Sequence, residues 1–289
     1  MEGLFYQLAS GLVSGGFYGG FALALVMVHR ATGHLNFAQG EMATLATFVS
    51  LALTQVGVPY FAAAAISIVG SFGLGALVEM TLIKRLGDQS PLRLVILTIA
   101  MFMLLNGSSG FLFGYSAVPM QSPFADLPIG SKYFSAHETG ALAVILILVL
   151  LLYAVFRFTK FGLAMRAAAV NPASAQLVGV NVDLVRATGW GAASVIGTVI
   201  GLLVAPVLFI EPNLMLGILV YGFAAALVGG IDNPWGAVAG GILVGVIENL
   251  AGAYVVGTEL KLTVALTLII IVLLVRPSGL FGKAVVKRV

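Results

Sequence analysis

The chain has 289 residues, of which 60% are hydrophobic and only 9% are charged. An ordinary soluble domain carries roughly 25% charged residues, so this composition excludes that class and indicates a membrane protein. The net charge of +3 reflects mostly a Lys/Arg excess in the loops and indicates no nucleic-acid partner. Because the sequence contains no cysteine, disulfides, thiol catalysis and Cys metal sites are excluded.

Apolar windows follow one another along the whole chain, and most have the roughly 17 to 25 residues that a helix needs to cross a bilayer. They are continuous runs rather than short alternating segments, which excludes a transmembrane barrel. The fold predicted is an all-α integral membrane protein with about nine (8–10) transmembrane helices in a single domain, residues 1–289. The windows are 4–28, 42–58, 60–78, 94–118, 139–156, 187–210, 214–231, 233–258 and 262–275.

The two ends of this series are special cases. The start, MEGLFYQL, lacks the basic region of a cleaved signal peptide, so the first window is predicted to be a retained span. The last window has only 14 residues between Lys261 and Arg276. It can cross the bilayer if the long cationic side chains reach the headgroups.

The Lys and Arg residues between these windows fall mostly on one side of the membrane. Because Lys and Arg in short loops stay in the cytoplasm, nine crossings place the N-terminus outside and the C-terminus inside. The outside then receives only Lys132 and Lys261. The inside receives Arg30, Lys84, Arg85, Arg93, Arg157, Lys160, Arg166, Arg186, Arg276, Lys283, Lys287 and Arg288.

The first polar interruption is TGHLNFAQGEM, residues 32–42, which contains Asn36, Gln39 and Glu41. Polar groups and non-helical backbone at membrane depth are tolerated only where protein or water covers them. The segment is therefore either a broken helix that lines a pathway or a cytoplasmic loop that leads into a helix. Both interpretations stay open on the sequence alone.

The second interruption is VGGIDNPWGAVAGGILVGVIENL, residues 228–250. Asn233-Pro234 predicts a helix start, and Glu248 then lies inside an apolar span, where an ionisable residue is a functional candidate. The alternative is that Glu248 only bonds to a neighbouring helix. GSFGLGALVE, ending at Glu79, resembles AGGILVGVIE, ending at Glu248, and this short similarity predicts an inverted repeat.

Glycines four residues apart recur in the windows, and such spacing lets helix backbones approach closely in lipid. Tight packing within the chain is the favoured interpretation, and a subunit interface is the alternative. The pairs are Gly11/Gly15/Gly19, Gly16/Gly20, Gly197/Gly201, Gly236/Gly240 and Gly241/Gly245.

The long cytoplasmic loop, residues 157–186, has structure of its own. Good helix formers occupy residues 159–169, Asn171-Pro172 is an N-cap followed by proline, and Gly179 closes a two-turn helix. Leu177 and Val178 would then expose apolar surface, which marks a partner site. A connector that folds back onto the membrane is the alternative.

The motifs LNFAQGEM, FGLAMRAAAVNPASAQLVGVN, NPWGAVAGGILVGVIEN and LLVRPSGLFG resemble those of the branched-chain amino acid ABC transporter permease family, of the LivH type. They lie between residues 35 and 282 in the family's order. The resemblance implies the fold of an ABC importer permease in the bacterial inner membrane. Its implied partners are a second, LivM-like permease, two cytoplasmic ATPase subunits and a periplasmic binding protein, with ATP and Mg used by the ATPases and no cofactor on this chain.

The resemblance also implies a coupling helix, because a cytoplasmic loop of such permeases docks into a cleft of the ATPase. Carried onto this sequence, the coupling segment runs from residue 164 to residue 180. Its candidate contact residues are Ala164, Arg166, Asn171, Pro172, Ala173, Gln176, Leu177 and Gly179.

The chain itself carries no GxxxxGK[ST] phosphate loop, since GLFGKA at 279–284 lacks the spacing and the hydroxyl. We therefore expect a transport subunit and not an enzyme, with no catalytic residues and no metal site. Its substrates are expected to be branched-chain or related amino acids, with amides or urea as the alternative. A secondary transporter that uses Glu41, Glu79 or Glu248 as ion sites, and a purely structural subunit, are the competing classes.

Polar residues inside the windows are the candidates for the substrate pathway. Asn106 is also a typical interhelical hydrogen-bonding residue, and that role is the favoured one. The pathway candidates are Asn36, Gln39, Glu41, Asn106, Ser108 and Glu248.

Overall fold

A computed structural model describes residues 2–86 and 91–282, and within these residues the chain is helical with no sheet. Lys283, Lys287 and Arg288, which contribute to the charge asymmetry, lie outside the described residues. The helices are α1 (Glu2–Thr32), α2 (Gln39–Gln55), α3 (Tyr60–Val78), α4 (Lys84–Leu86), α5 (Pro91–Phe113), α6 (Ala136–Phe158), α7 (Lys160–Val170), α8 (Pro172–Leu177), α9 (Val182–Leu208), α10 (Leu216–Gly229), α11 (Pro234–Ala251) and α12 (Lys261–Val275).

Each of the nine apolar windows coincides with one helix, and the predicted all-helical membrane class is confirmed. Seven helices in the described part of the chain are long and apolar enough to cross a membrane. The helices α2 and α10, with 17 and 14 residues, are shorter. The last window gains length from a 3-10 turn, so that an apolar helical segment of 18 residues runs from Thr258 to Val275.

The local signals for helix ends are confirmed. The side chain of Asn171 accepts a hydrogen bond from the Ser174 N–H at the start of α8, and Asn233 accepts one from the Trp235 N–H at the start of α11. Gly179, which follows α8, has φ +86°, a conformation that residues with a Cβ rarely adopt. Asparagine caps and glycine stops therefore fix the ends of the short helices, as in soluble proteins.

Both helices with the similar Glu-ending motif continue into π-helical turns. In α3 the turn covers Glu79–Ile83 and leads into α4, whereas the turn after α11 covers Gly252–Val256. Glu79 and Glu248 are both buried. A π-helical turn interrupts the regular ladder of backbone hydrogen bonds and often occurs at functional sites. The inverted repeat itself stays a prediction.

The helices pack into two compact units, each assembled from separate parts of the chain. Unit 1 contains residues 1–26, 123–145 and 217–289, and unit 2 contains residues 27–122 and 146–216. Each boundary falls inside a helix or a connecting segment, so neither unit is a continuous segment of sequence. The single permease domain over residues 1–289 stays a prediction.

Unit 2 is organised around α9, which packs against α2 and α3. The Trp190, Ile196 and Ile200 side chains of α9 are almost completely buried. Gly75 of α3 lies against the Trp190 backbone, and Gly191 of α9 lies against the Phe72 ring, so close helix approach is obtained with one glycine at each of these two contacts. These contacts fix α3 closely against α9.

Unit 1 contains a contact between α1 and α11 that we call the glycine seam, formed by Gly11, Gly15, Gly19, Gly241 and Gly245. A Cβ on Gly15 would lie 2.7 Å from the Ile242 Cα, and one on Gly11 would lie 2.8 Å from the Val246 Cα. A Cβ on Gly241 would meet the backbone of Gly19. The predicted role of these glycines in packing within the chain is confirmed, because only glycine allows such an approach.

Candidate functional site

The polar segment after α1 is a break between two helices. Residues 33–38 are non-helical, and α2 begins at Gln39. Asn36, Gln39 and Glu41 are nevertheless at most 1% exposed. A solvated loop would leave such side chains exposed, whereas protein must cover non-helical backbone at membrane depth. The burial therefore favours the broken-helix interpretation.

Hydrogen bonds of two amide side chains hold this break in place. Asn36 Oδ1 accepts from the Ala38 N–H at 3.0 Å, and Asn36 Nδ2 donates to Gln39 Oε1 at 3.0 Å. Gln39 Nε2 donates in turn to the carbonyl oxygen of Ala193 at 2.9 Å. Ala193 lies near the middle of α9, so the start of α2 is fixed halfway along a membrane-length helix.

Two residues further along α2, the Glu41 carboxylate meets the side chain of Asn106 on α5. Asn106 Nδ2 donates to Glu41 Oε2 at 3.3 Å, to the Pro212 carbonyl oxygen at 3.1 Å and to Asn213 Oδ1 at 3.0 Å. Glu41 Oε1 is buried and accepts no hydrogen bond from the described residues. We call Glu41, Asn106, Pro212 and Asn213 the acceptor cluster, since its oxygen atoms outnumber the two amide hydrogens that Asn106 can donate to them.

The acceptor cluster extends from a buried end to an exposed end. Glu41 is fully buried, Asn106 is half-buried and Asn213 is exposed. Asn213 belongs to the segment between α9 and α10, where Ile210 pairs with Val118 in an antiparallel bridge. This pairing positions the 209–215 segment, so Asn213 and the Pro212 carbonyl oxygen reach α5. A polar route thus leads from the surface of unit 2 to its buried carboxylate.

Four of the six predicted pathway residues lie together in unit 2, namely Asn36, Gln39, Glu41 and Asn106. Ser108 does not belong to this group, because its hydroxyl donates to the Leu104 carbonyl oxygen of its own helix at 2.6 Å. Glu248 belongs to unit 1. The pathway role of all six residues stays a prediction.

Glu248 has a different environment from Glu41. It lies near Tyr18 and Tyr221, whose rings stack with centroids 4.5 Å apart, and its buried Oε2 accepts no hydrogen bond from the described residues. The next residue, Asn249, accepts a hydrogen bond from Lys261 Nζ at 2.7 Å. The role of Glu248, in the pathway or in packing against a neighbouring helix, stays a prediction.

Pro212 and Asn213 were missed by the sequence analysis. A weak signal exists, since Glu211-Pro212-Asn213 is a polar triplet between two apolar windows. Nothing in the sequence, however, pairs this triplet with Asn106, which is more than 100 residues away. The contact depends on how α5 packs against α2 and on the course of the segment after α9, and spacing along the chain does not encode it.

The predicted coupling loop forms a second candidate site in unit 2. Buried Met165, Ala168 and Ala175 hold α7 and α8 in place, and both helices contact α9. The other face is open, with Leu177 88% exposed and Val178 also exposed. Of the predicted contact residues, Ala164 is half-buried and the rest are exposed: Arg166, Asn171, Pro172, Ala173, Gln176, Leu177 and Gly179.

The loop is anchored by its buried face and has an apolar exposed face. The buried face packs against α9, the helix whose Ala193 carbonyl oxygen accepts the hydrogen bond from Gln39. An exposed apolar group on a fixed support is typical of a protein-binding surface. The loop geometry thus agrees with a docking role, which stays a prediction.

Comparison with known proteins gives a match over almost the whole chain. Residues 7–273 match the sequence model of the family described as "Branched-chain amino acid transport system / permease component". The chain is 32% identical to the high-affinity branched-chain amino acid transport system permease protein LivH of Salmonella typhimurium, covering 98% of this chain and 97% of that protein. It is 29% identical to the corresponding BraD protein of Pseudomonas aeruginosa, with the same coverage.

One solved structure also matches. PsaBC from Streptococcus pneumoniae, in complex with Fab, aligns with 95% of this chain and 91% of its own, at 16% sequence identity and a TM-score of 0.45. At this level of similarity the structure supports no argument about function or detailed fold.

Proposed function

Because this chain belongs to the branched-chain amino acid transport permease family, we propose that it moves branched-chain or related amino acids through the bacterial inner membrane. It is a multi-pass membrane protein and a permease subunit of an ABC importer. The observation that supports the substrate is the near full-length similarity to permeases named for branched-chain amino acids. The match does not favour an amide or urea permease or an ion-coupled secondary transporter.

The family implies separate ATPase subunits and a binding protein as partners. We infer a second, LivM-like permease and two ATPase subunits. We assign the binding of ATP and Mg to the ATPase subunits, since this chain carries no phosphate loop. The proposed orientation has the N-terminus outside and the C-terminus in the cytoplasm, supported by the Lys/Arg asymmetry. It places the loop of residues 157–186 on the ATPase side.

Reconstitution of the complete importer tests the function. Purified through a tag on this chain and placed in liposomes, the complex should accumulate labelled leucine only with ATP and the loaded binding protein. Uptake driven by an ion gradient without ATP would contradict an ATP-driven importer. Uptake of urea or amides in preference to leucine would contradict the proposed substrate.

Within this importer, α8 is the proposed contact with an ATPase subunit. It is supported by the exposure of Leu177 and Val178 on a loop that is fixed to α9. Closure of the ATPases would move α8, and α9 would transmit the movement to α2 through the bond between Gln39 and Ala193. The coupling loop and the acceptor cluster are therefore two ends of one connected structure within unit 2.

The variant Leu177→Asp tests the contact, since it places a charge where an apolar groove is expected. A buried apolar contact at the centre of an interface typically contributes about 2 kcal/mol or more, so co-purified ATPase should fall by about tenfold or more. Leu127→Asp is the matched control, because Leu127 is an exposed leucine outside the loop. Equal recovery of the ATPases with both variants would refute the docking role of α8.

A further inference from the structure

The acceptor cluster has an imbalance of hydrogen-bond donors and acceptors. The amide of Asn106 has two hydrogens, but its nitrogen faces three oxygens, from Glu41, Pro212 and Asn213. Glu41 Oε1 is a fourth oxygen, and it is buried with no donor among the residues that the structure describes. Two hydrogens therefore serve four acceptors, of which two belong to a carboxylate.

This imbalance costs free energy, and a ligand that brings donors and positive charge would remove that cost. A buried acceptor without a donor is unfavourable, most of all when it carries charge. A group with several N–H donors and a positive charge relieves both deficits, and a primary ammonium brings three donors. Neutral amides and urea bring N–H donors without the charge that pairs with a carboxylate.

From this geometry we propose that the acceptor cluster is the binding site for the α-ammonium group of the amino acid as it passes through the permease. The site rests on the proposed function, and it names the part of the substrate that the pathway recognises. Asn106 Nδ2 occupies the donor position in the present structure, 3.3 Å from Glu41 Oε2. The ammonium replaces this amide and bonds to Glu41, while the released Asn106 keeps its bond to Asn213 or Pro212.

The surroundings of the cluster fit entry from one side. Asn213 is exposed and Asn106 is half-buried, so a substrate meets the two amides before it reaches Glu41. Behind Glu41, Asn36 and Gln39 are bonded to each other and to Ala193. They hold the start of α2 firmly, and the Glu41 carboxylate keeps a defined position when Asn106 moves away.

A comparison of ligands that differ only in their charged group tests this site without any variant. The probes are leucine, 3-methylbutylamine, which lacks the carboxylate, 4-methylpentanoate, which lacks the ammonium, and the neutral 4-methylpentanamide. Saturation-transfer NMR would measure their binding to the complete importer in nanodiscs, with the binding protein left out. Leucine and 3-methylbutylamine should bind at least about tenfold more tightly than the other two, the ratio expected for a charge-assisted hydrogen bond. Equal binding of 4-methylpentanoate or 4-methylpentanamide would overturn the proposal.

Uptake by variants provides the second test. Glu41→Gln keeps the shape but removes the charge, so leucine uptake by the complete importer should fall about tenfold to a hundredfold while ATP hydrolysis persists. The control is Thr98→Val on the same helix as Asn106, because the buried Thr98 hydroxyl bonds only to the Val95 carbonyl oxygen of its own helix. Uptake by Glu41→Gln at the wild-type rate would overturn the ammonium site alone. Failure of the wild-type importer to move any amino acid would instead contradict the proposed function, and the NMR comparison would still decide whether the site selects ammonium.

Discussion

The helix pairs α1–α11 and α3–α9 both pack closely, but they use glycine in different ways. In the glycine seam, Gly241 of α11 faces the backbone of Gly19 on α1, and Gly245 faces the backbone of Gly15. In α3–α9 the contact is mixed, since Gly75 faces the Ser194 hydroxyl and the Trp190 backbone, whereas Gly191 faces the Phe72 ring. The first contact joins two backbones, and the second includes an aromatic side chain.

This difference determines how much each helix pair can adjust. Two backbones in direct contact can accept an added methyl group only if the helices separate. An aromatic ring can turn aside, and Phe72 is 39% exposed and has room to do so. Gly241 of the glycine seam should therefore be more sensitive than Gly191 of α9 to an added methyl group.

Gly241→Ala should have the largest effect on stability. The added Cβ would meet the Gly19 backbone and lie 2.9 Å from the Gly15 carbonyl oxygen. Separating the helices should cost about 3 kcal/mol or more, at the upper end for overpacked cores. Unfolding of the purified chain in detergent, followed by circular dichroism during titration with a denaturing detergent, would measure it.

Gly70→Ala is the control for this substitution, because an added Cβ there has no neighbour within 4 Å. Alanine forms helices more readily than glycine, so this variant should be neutral or more stable by up to about 1 kcal/mol. If Gly241→Ala proved as stable as Gly70→Ala, the backbone contact in the glycine seam would be refuted.

Gly191→Ala should have an intermediate effect, of about 1–2 kcal/mol. The added Cβ would lie 2.8 Å from the Phe72 ring and 2.9 Å from its carbonyl oxygen. Part of the cost should disappear in the double variant Gly191→Ala/Phe72→Leu, which removes the ring. If the free-energy costs of the two substitutions simply added in the double-mutant cycle, the Phe72 ring would not be the group that moves to make room for the added methyl group.

The sequence predicted the helices well because the information that specifies them is local. Each continuous apolar window coincides with a helix of the described residues, and the Asn171-Pro172 and Asn233-Pro234 pairs marked the starts of α8 and α11. Capping and hydrophobic length depend on neighbours within one or two turns. The same holds for the exposed Leu177, which was predicted from the polar loop around it.

The candidate site was predicted only in part, because its contacts are long-range. Asn36, Gln39 and Glu41 stood out as polar residues beside an apolar run, but their burial depends on α9, more than 150 residues away. Asn213 had no signal that joined it to Asn106. Ser108 looked like a pathway residue, yet its hydroxyl bonds to its own helix, an alternative open to any helical serine.

The smallest effect is expected where α4, which follows α3 after its π-helical turn, meets the start of α9, since Lys84 Nζ lies 2.7 Å from Asp183 Oδ2. The two side chains are 50% and 53% exposed, and water screens pairs of this kind to about 0–1 kcal/mol. A double-mutant cycle with Lys84→Met and Asp183→Asn should give a coupling energy below about 1 kcal/mol that shrinks further in roughly 1 M salt. A coupling energy of about 2 kcal/mol or more would place this ion pair, rather than Gly191 and Phe72, among the main stabilising contacts of the helix pair. The expected order therefore places backbone contact first, contact with a movable ring second, and the exposed ion pair last.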